Sequence, residues 1–297
     1  TAEDVDGNLI EAGAPVSFTA APLPDDFPPF EVTTCVPEKR EPGVLLFNIR
    51  YSPAGEDLPG LGLIAAVDGN GEIVWFYRTD EAIGDVRRLS NGNILYVGDG
   101  LITEIDLLGE TKARWYATGR WQDRTPPADA VPVATGMFHH AAIELPSGNI
   151  LACSMEIRDI PGFPTAEDDP DSGTETASVV GDVIVEFKRD GAIINEYRLL
   201  DLLDPHRVYY GSRAAYWVRR GFPGTCDWSH VNGLTYDAED GIIASVRHQD
   251  CLIRIDRASG ELDWLLGTHA NWRKPWSDHL LTPDNGLEWQ YHQHDCS

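Results

Sequence analysis

Two short phrases recur after Gly43, and their recurrence confines the chain to a repeated all-β architecture. One runs Gly-Glu to an aromatic residue: Gly71-Glu72 to Trp75, Gly109-Glu110 to Trp115, and Gly260-Glu261 to Trp264, with Asp190-Gly191 leading to Tyr197 as a variant. The other is Leu-x-x-Gly-Asn-Ile-Leu, at residues 89–95 and 145–151. Asn-Gly and Asp-Gly flanked by alternating apolar residues are strong hairpin signals. Trp75 and Trp115 stand one unit apart on the scale of a propeller blade, about 40–45 residues. About sixteen short strands, at about four per blade, make about four blades. A closed ring of four is uncommon, so the expectation is a segment of a larger β-propeller. A β-sandwich is the alternative all-β solution, and the repeated phrase argues against it.

The first 42 residues differ in kind. Pro22, Pro24, Pro28, Pro29, Pro37 and Pro42 exclude a central strand from most of residues 1–42. Val16-Ser17-Phe18-Thr19 reads as the last strand of a preceding module, and the remainder as a linker. Residues 43–297 are expected to form the propeller. The chain starts at Thr1 and stops at Ser297, directly after a histidine motif, so truncation at the C-terminus is expected. Long loops are expected at roughly 157–180, 202–228 and 268–286. The first holds Glu167-Asp168-Asp169, read as a solvated acidic run because the ligand order of a calcium loop is missing. The stretch from Thr268 to Trp276 is aromatic and basic. It reads as a pocket rim or lid, or else as a packing loop between domains.

Charge narrows the partners. There are 23 Lys+Arg against 48 Asp+Glu, a net charge of −25. Nucleic acid is not expected without a basic patch to release counterions. No apolar run is long enough to span a membrane. An anionic substrate would need a local positive site against this acidic background. The five cysteines, Cys35, Cys153, Cys226, Cys251 and Cys296, contain no C-x-x-C pair. They read as buried thiols, with a bridge from Cys226 or Cys251 to Cys296 as the alternative.

Histidines at strand edges supply the candidate site. His139 and His140 precede a strand, and alternation lets only one of them face a shared point, His140 by preference. His230 and Asn232 lie two apart, an imidazole and an amide suited to an oxyanion. Arg247 and His248 follow the apolar run Gly241–Val246, where arginine offers a planar fork. His292 and His294 are likewise two apart.

Taken as an ordered set, Gly-Met-Phe-His139-His140, His230-Val-Asn232-Gly-Leu-Thr-Tyr236-Asp237, Ser245-Val-Arg247-His248-Gln249, Trp264-Leu-Leu-Gly267, Trp272-x-Lys-Pro-Trp276 and Gln293-His294 resemble the bacterial arylsulfate sulfotransferase family. The resemblance covers roughly residues 20–297. It implies a six-bladed propeller after an N-terminal β-sandwich, whose end would lie within residues 1–42. It also implies a periplasmic or extracellular location, and sulfuryl transfer from a phenolic sulfate ester to a phenol without a nucleotide donor. It carries His294 over as the nucleophile that becomes sulfated, and Arg247, His230 and His140 as the residues around the sulfuryl group. Asn232, His139 and His248 follow as substrate-binding candidates. No cofactor or metal is implied, and a homo-oligomer is left open. Two departures stand out: the blades after the nucleophile are absent, and Ala141-Ala142 replace an acidic residue expected to orient His140.

The residues suit that chemistry. A sulfuryl ester spreads one negative charge over its oxygens, so transfer needs positioning and positive donors. A neutral imidazole is a competent nucleophile, and a second histidine can protonate the leaving phenolate and later deprotonate the acceptor. Two other classes compete. His140, His230 and His294 could ligate Zn²⁺ or Cu²⁺, although Arg247 beside them opposes a cation. A noncatalytic propeller that binds a partner on one face would make the histidine set a coincidence.

Overall fold

The computed structural model describes residues 22–296 except 26, 52–60, 80, 99, 122–123, 168, 170 and 285–287. The strand expected at 16–19 lies outside the described residues, as does Asp168 of the acidic run. Four sheets follow one another along the chain, giving a four-bladed propeller arrangement. The first blade is β1 (Leu45–Tyr51), β2 (Leu61–Val67) and β3 (Ile73–Thr79). The second is β4 (Asp85–Arg88), β5 (Ile94–Val97), β6 (Leu101–Ile105) and β7 (Thr111–Ala117), extended by β8 (Val131–Val133). The third is β9 (Ala142–Glu144), β10 (Ile150–Pro164), β11 (Thr174–Phe187) and β12 (Ile193–Arg198), with β13 (Thr225–Asp227) pairing parallel to β11. The fourth is β14 (Val231–Tyr236), β15 (Gly241–Val246), β16 (Cys251–Asp256) and β17 (Leu262–Gly267).

The two recurring phrases are hairpin turns with an identifiable chemistry. In the first, an aspartate side chain caps the turn. Asp106 Oδ1 accepts the N–H groups of Leu108 at 2.9 Å and Glu110 at 3.0 Å, and Asp68 does the same for Asn70 and Glu72. Gly109 sits at φ 82, a left-handed conformation that glycine takes without a Cβ penalty. In the second phrase, Leu145 N–H donates to Asn149 O at 2.9 Å, and Gly148 holds φ 80.

The aromatic residue of the first phrase straps each blade to the next. Trp75 Nε1 donates to Leu107 O at 2.8 Å, in the outer turn of the second blade. Trp115 Nε1 donates to Arg189 O at 2.9 Å in the third, and Tyr197 Oη to Arg257 O at 2.9 Å in the fourth. A buried glutamate repeats the pattern. Glu104 accepts from Asn93 at 2.5 Å and pairs with Arg189, and Glu186 accepts from Asn149 at 2.6 Å and pairs with Arg257 at 3.0 Å. The apolar core accordingly lies between blades: Leu95, Trp115, Val133 and Phe187 fill one seam, and Leu151, Ile184, Leu234 and Ile253 another.

The expected loop at 157–180 is mostly strand. β10 and β11 form one long hairpin in register from Ile150↔Phe187 to Pro164↔Thr174. A register shift between Ile160 and Phe163 takes up Pro161, where a residue without an N–H donor costs no ladder bond. This hairpin carries β13, and β13 ends at Asp227.

Candidate active site

Strands β9, β14 and β15 bring most of the candidate residues to one end of the propeller. His139 and His140 lie just before β9, His230 just before β14, and Arg247 and His248 in a 3₁₀ turn just after β15. The segment at 290–296 lies against the fourth blade. His292 N–H donates to Asp250 Oδ1 at 2.7 Å, and Gln293 Nε2 to Cys251 O at 2.8 Å. A cavity of about 1220 Å³ results, lined by His139, His140, His230, Arg247, His248 and His294 among others.

The rings form a packed cluster. His140 is 4.9 Å from His230 and 5.9 Å from His294, centroid to centroid, and His230 is 4.5 Å from His248. Tyr216 stacks on His140 at 5.7 Å and meets His230 edge-on at 4.6 Å. Both His140 (φ 49) and His230 (φ 53) hold left-handed backbone, sparsely populated for non-glycine residues. Backbone of this kind persists where its surroundings over-determine it, often at functional sites. Here Gly84 presses close: a Cβ there would meet His140 O at 3.1 Å.

Hydrogen bonds assign the tautomers. Asp227, 1 % exposed, accepts Trp217 Nε1–H at 2.9 Å on one oxygen and faces His230 Nδ1 at 2.5 Å with the other. His230 Nδ1 therefore carries a proton, and its Nε2 keeps the lone pair in the neutral form. His248 Nδ1 lies 2.6 Å from Asp227 O, which can only accept, so that nitrogen is protonated too. His139 Nε2 lies 3.0 Å from Ser154 O and 3.1 Å from Asp182 Oδ1. Its aligned hydrogen bond goes to the carbonyl, and the carboxylate acts through its charge. With His139 neutral, its Nδ1 accepts from His140 Nδ1–H at 2.9 Å, which leaves His140 Nε2 as a lone pair. Asp182 is itself fixed by Ser229 Oγ and by Val231 N–H at 2.8 Å.

Electrostatics disfavours the charged forms of His140, His294 and His248. Burial, reinforced by His139, His230, His294 and Arg220, holds His140 well below the ordinary histidine value. Burial also lowers His294, with Arg247 and His230 acting the same way and Asp295 against them. His248 is lowered mainly by burial, with Asp227 opposing. Asp182 is pushed up by burial, but nearby His139 and the donors Ser229 and Val231 outweigh that and lower it.

The structure distributes the sequence candidates unevenly. His140, His230, Arg247 and His294 all line the cavity; His139 and His248 line it too while acting as supports. Asn232 engages the returning chain. Its Nδ2 donates to Gln293 O at 3.0 Å and its Oδ1 accepts Asp295 N–H at 3.4 Å, so it clamps the backbone on both sides of His294. Arg247 likewise spends one arm on His292 O at 3.2 Å. The orienting acid missed after His140 comes from β11 as Asp182, through His139. Asp227, Tyr216 and Arg220 were not anticipated either. The phrase Asp227-Trp228-Ser229-His230 offered an i, i+3 carboxylate–histidine spacing that could have signalled the first.

The competing metal reading named His140, His230 and His294, which are not the group whose ligand atoms cluster. Among the described residues, the atoms that do cluster belong to Asp227, His230 and His248, within 4.8 Å of one another. Both imidazoles there face their acceptors with protonated Nδ1 atoms, so the group is a hydrogen-bonded cluster. All five cysteines are free, and no disulfide forms among the described residues. The aromatic and basic stretch after Thr268 does not rim this cavity. Its Asn271 and Arg273 line a second cavity of about 1230 Å³ across His248, where Trp272 underlies Arg207 at 4.1 Å.

The family model described as arylsulfotransferase (ASST) matches residues 37–297. The chain belongs to the arylsulfotransferase family. An arylsulfate sulfotransferase of Escherichia coli O6:H1 is 27% identical over 170 residues, 48% of this chain and 26% of that protein. An arylsulfate sulfotransferase of Lelliottia amnigena is 27% identical over 129 residues, 35% of this chain and 21% of that protein. The matches thus span about a quarter of the length of these curated relatives. Among solved structures, a virginiamycin B lyase from Staphylococcus aureus aligns with TM-score 0.33 and 15% identity, over 74% of this chain and 73% of that one.

Proposed function

We propose that this cavity transfers a sulfuryl group from an aryl sulfate to a phenol through a sulfated His294, without a nucleotide donor. The observation that carries the reading is the convergence of His294, held neutral, with Arg247, His230 and His140 on one cavity in a member of this family. In the first half-reaction a ring nitrogen of His294 attacks sulfur and the S–O(aryl) bond breaks. The departing aryl oxygen takes the Nε2 proton of a His230 imidazolium, whose Nδ1–H stays on Asp227. In the second, the acceptor phenol oxygen attacks the sulfuryl group, the N–S bond breaks, and the phenol proton goes to His230. Each acceptor thereby reloads the acid for the next donor. His230 suits this role better than His140, because the Asp227 carboxylate stabilises the imidazolium that forms, whereas His140 contacts the imidazole of His139 in place of a carboxylate. Arg247 stays charged beside the sulfuryl oxygens. The same reading carries a periplasmic or extracellular location.

The test is initial-rate kinetics with donor and acceptor varied together. Parallel double-reciprocal lines, unchanged by EDTA, are expected for a covalent intermediate. Intersecting lines would show direct transfer in a ternary complex, and loss of activity on chelation would return the metal reading.

A further inference from the structure

The sulfuryl-transfer reading accounts for Arg247 and the histidines, but not for the rest of the charge in the cavity. Arg219 and Arg220 line it as well, in a chain of net charge −25. The acids that line it are Glu81 and Asp227, and Asp227 is committed to Trp217 and His230. Arg219 and Arg220 come from the turn Val218–Arg220, and neither has an ion-pair partner among the described residues. A single aryl sulfate presents one negative charge, which Arg247 matches.

Two arginines lie over aromatic rings. Arg220 Cζ stands 3.7 Å from the Tyr216 ring centroid, and Tyr216 stacks on His140, so the guanidinium lies one aromatic layer out from the histidine cluster. Arg124 Cζ stands 4.7 Å from the Trp121 ring. Walls of guanidinium on aromatic ring suit a flat ligand that carries a carboxylate or sulfonate, since arginine both stacks and forks. The volume of about 1220 Å³ also exceeds the roughly 300–1,000 Å³ of common small-molecule sites, more than one phenyl sulfate needs.

We propose that the outer part of this cavity, around Arg219 and Arg220, binds a second anionic group on the substrate. The preferred donors and acceptors are then aromatic compounds that carry a carboxylate, a sulfonate or another sulfate beside the reacting oxygen. The proposal rests on the sulfuryl-transfer reading for its reacting end, and its test keeps the two apart. The specificity ratio is kcat/KM for para-hydroxybenzoate over kcat/KM for para-hydroxybenzamide as acceptors. It is measured in the parent and in the Arg219→Gln/Arg220→Gln double variant, so that general loss of activity cancels. A hydrogen bond to a charged group is worth roughly tenfold or more, so the ratio should fall about tenfold in the variant. A ratio unchanged within about twofold overturns the proposal while leaving the transfer reading intact. Calorimetric binding of para-sulfobenzoate and benzenesulfonate needs no turnover. A dianion bound about tenfold more tightly in the parent, and no more tightly in the variant, supports the second subsite even if no aryl sulfate is consumed. Equal affinities in the parent sink it.

Discussion

Asp227→Asn separates a site built on tautomer control from one built on charge alone. The carboxylate is buried and keeps two donors apart: Trp217 Nε1 at 2.9 Å on one oxygen and His230 Nδ1 at 2.5 Å on the other. Asparagine has nearly the same shape and can still accept from Trp217. Its amide nitrogen then faces His230 Nδ1, donates to it, and drives the proton to Nε2, the nitrogen proposed to exchange protons with the phenols. In the serine-protease triad the same change of a buried aspartate lowers kcat by about 10⁴ through the wrong tautomer. Here a loss of about 10³–10⁴ in kcat is expected with an unactivated phenyl sulfate donor. Donors whose phenolate leaves without a proton should suffer less in their first half-reaction. Stability should drop by about 1.5–3 kcal/mol, the range for a hydrogen bond to a charged group. The assay is pre-steady-state release of phenols of graded acidity, with a thermal melt to show that the variant is folded. A folded variant within about tenfold of the parent across all donors would refute the reasoning.

Other consequences follow from the same geometry. The acid limb of the rate profile should lie below the free-histidine value of about 6.5, because burial and Arg247 lower His294; a limb above that value would contradict a desolvated nucleophile. His140 is lowered on folding, so the unfolded chain binds more protons below about pH 6.5, and stability should fall as pH drops into that window. Thermal melts between pH 7.5 and 5.5 read this directly, with His140→Gln flattening the dependence. Gly233→Ala places a Cβ 2.6 Å from Asp295 Cα and should lower kcat by displacing His294, with the melt changed little. Arg247→Lys keeps the charge but loses the fork that holds His292 O and is proposed to hold the sulfuryl oxygens. It should stay about 10²–10³ below the parent in rate, and activity within twofold would make Arg247 a structural residue.

Much of the architecture was legible because its determinants are local. The Gly-Glu turns need only their own aspartate and glycine, so the number of hairpins could be read directly. What the tryptophans do could not, since Trp75 and Trp115 find their acceptors in the outer turn of the following blade. The hairpin at 157–180 was hidden by Pro161, Pro164 and Pro170, which mark loops unless a bulge absorbs them. At the site, the histidines and Arg247 stood out by residue type. Their partners did not, because Asp182 reaches His139 from a different strand. The partners of Asn232 were hidden for a related reason: the returning chain beside His294 meets both ends of its amide.

The central claim is that His294 carries the sulfuryl group between donor and acceptor. Peptide mass mapping of the purified protein, quenched at alkaline pH after incubation with an aryl sulfate and no phenol, tests it most directly. One added sulfuryl group is expected on the peptide containing His294, absent in His294→Ala and discharged on adding a phenol. A label on His292, a label that survives His294→Ala, or turnover with no labelled peptide would contradict it.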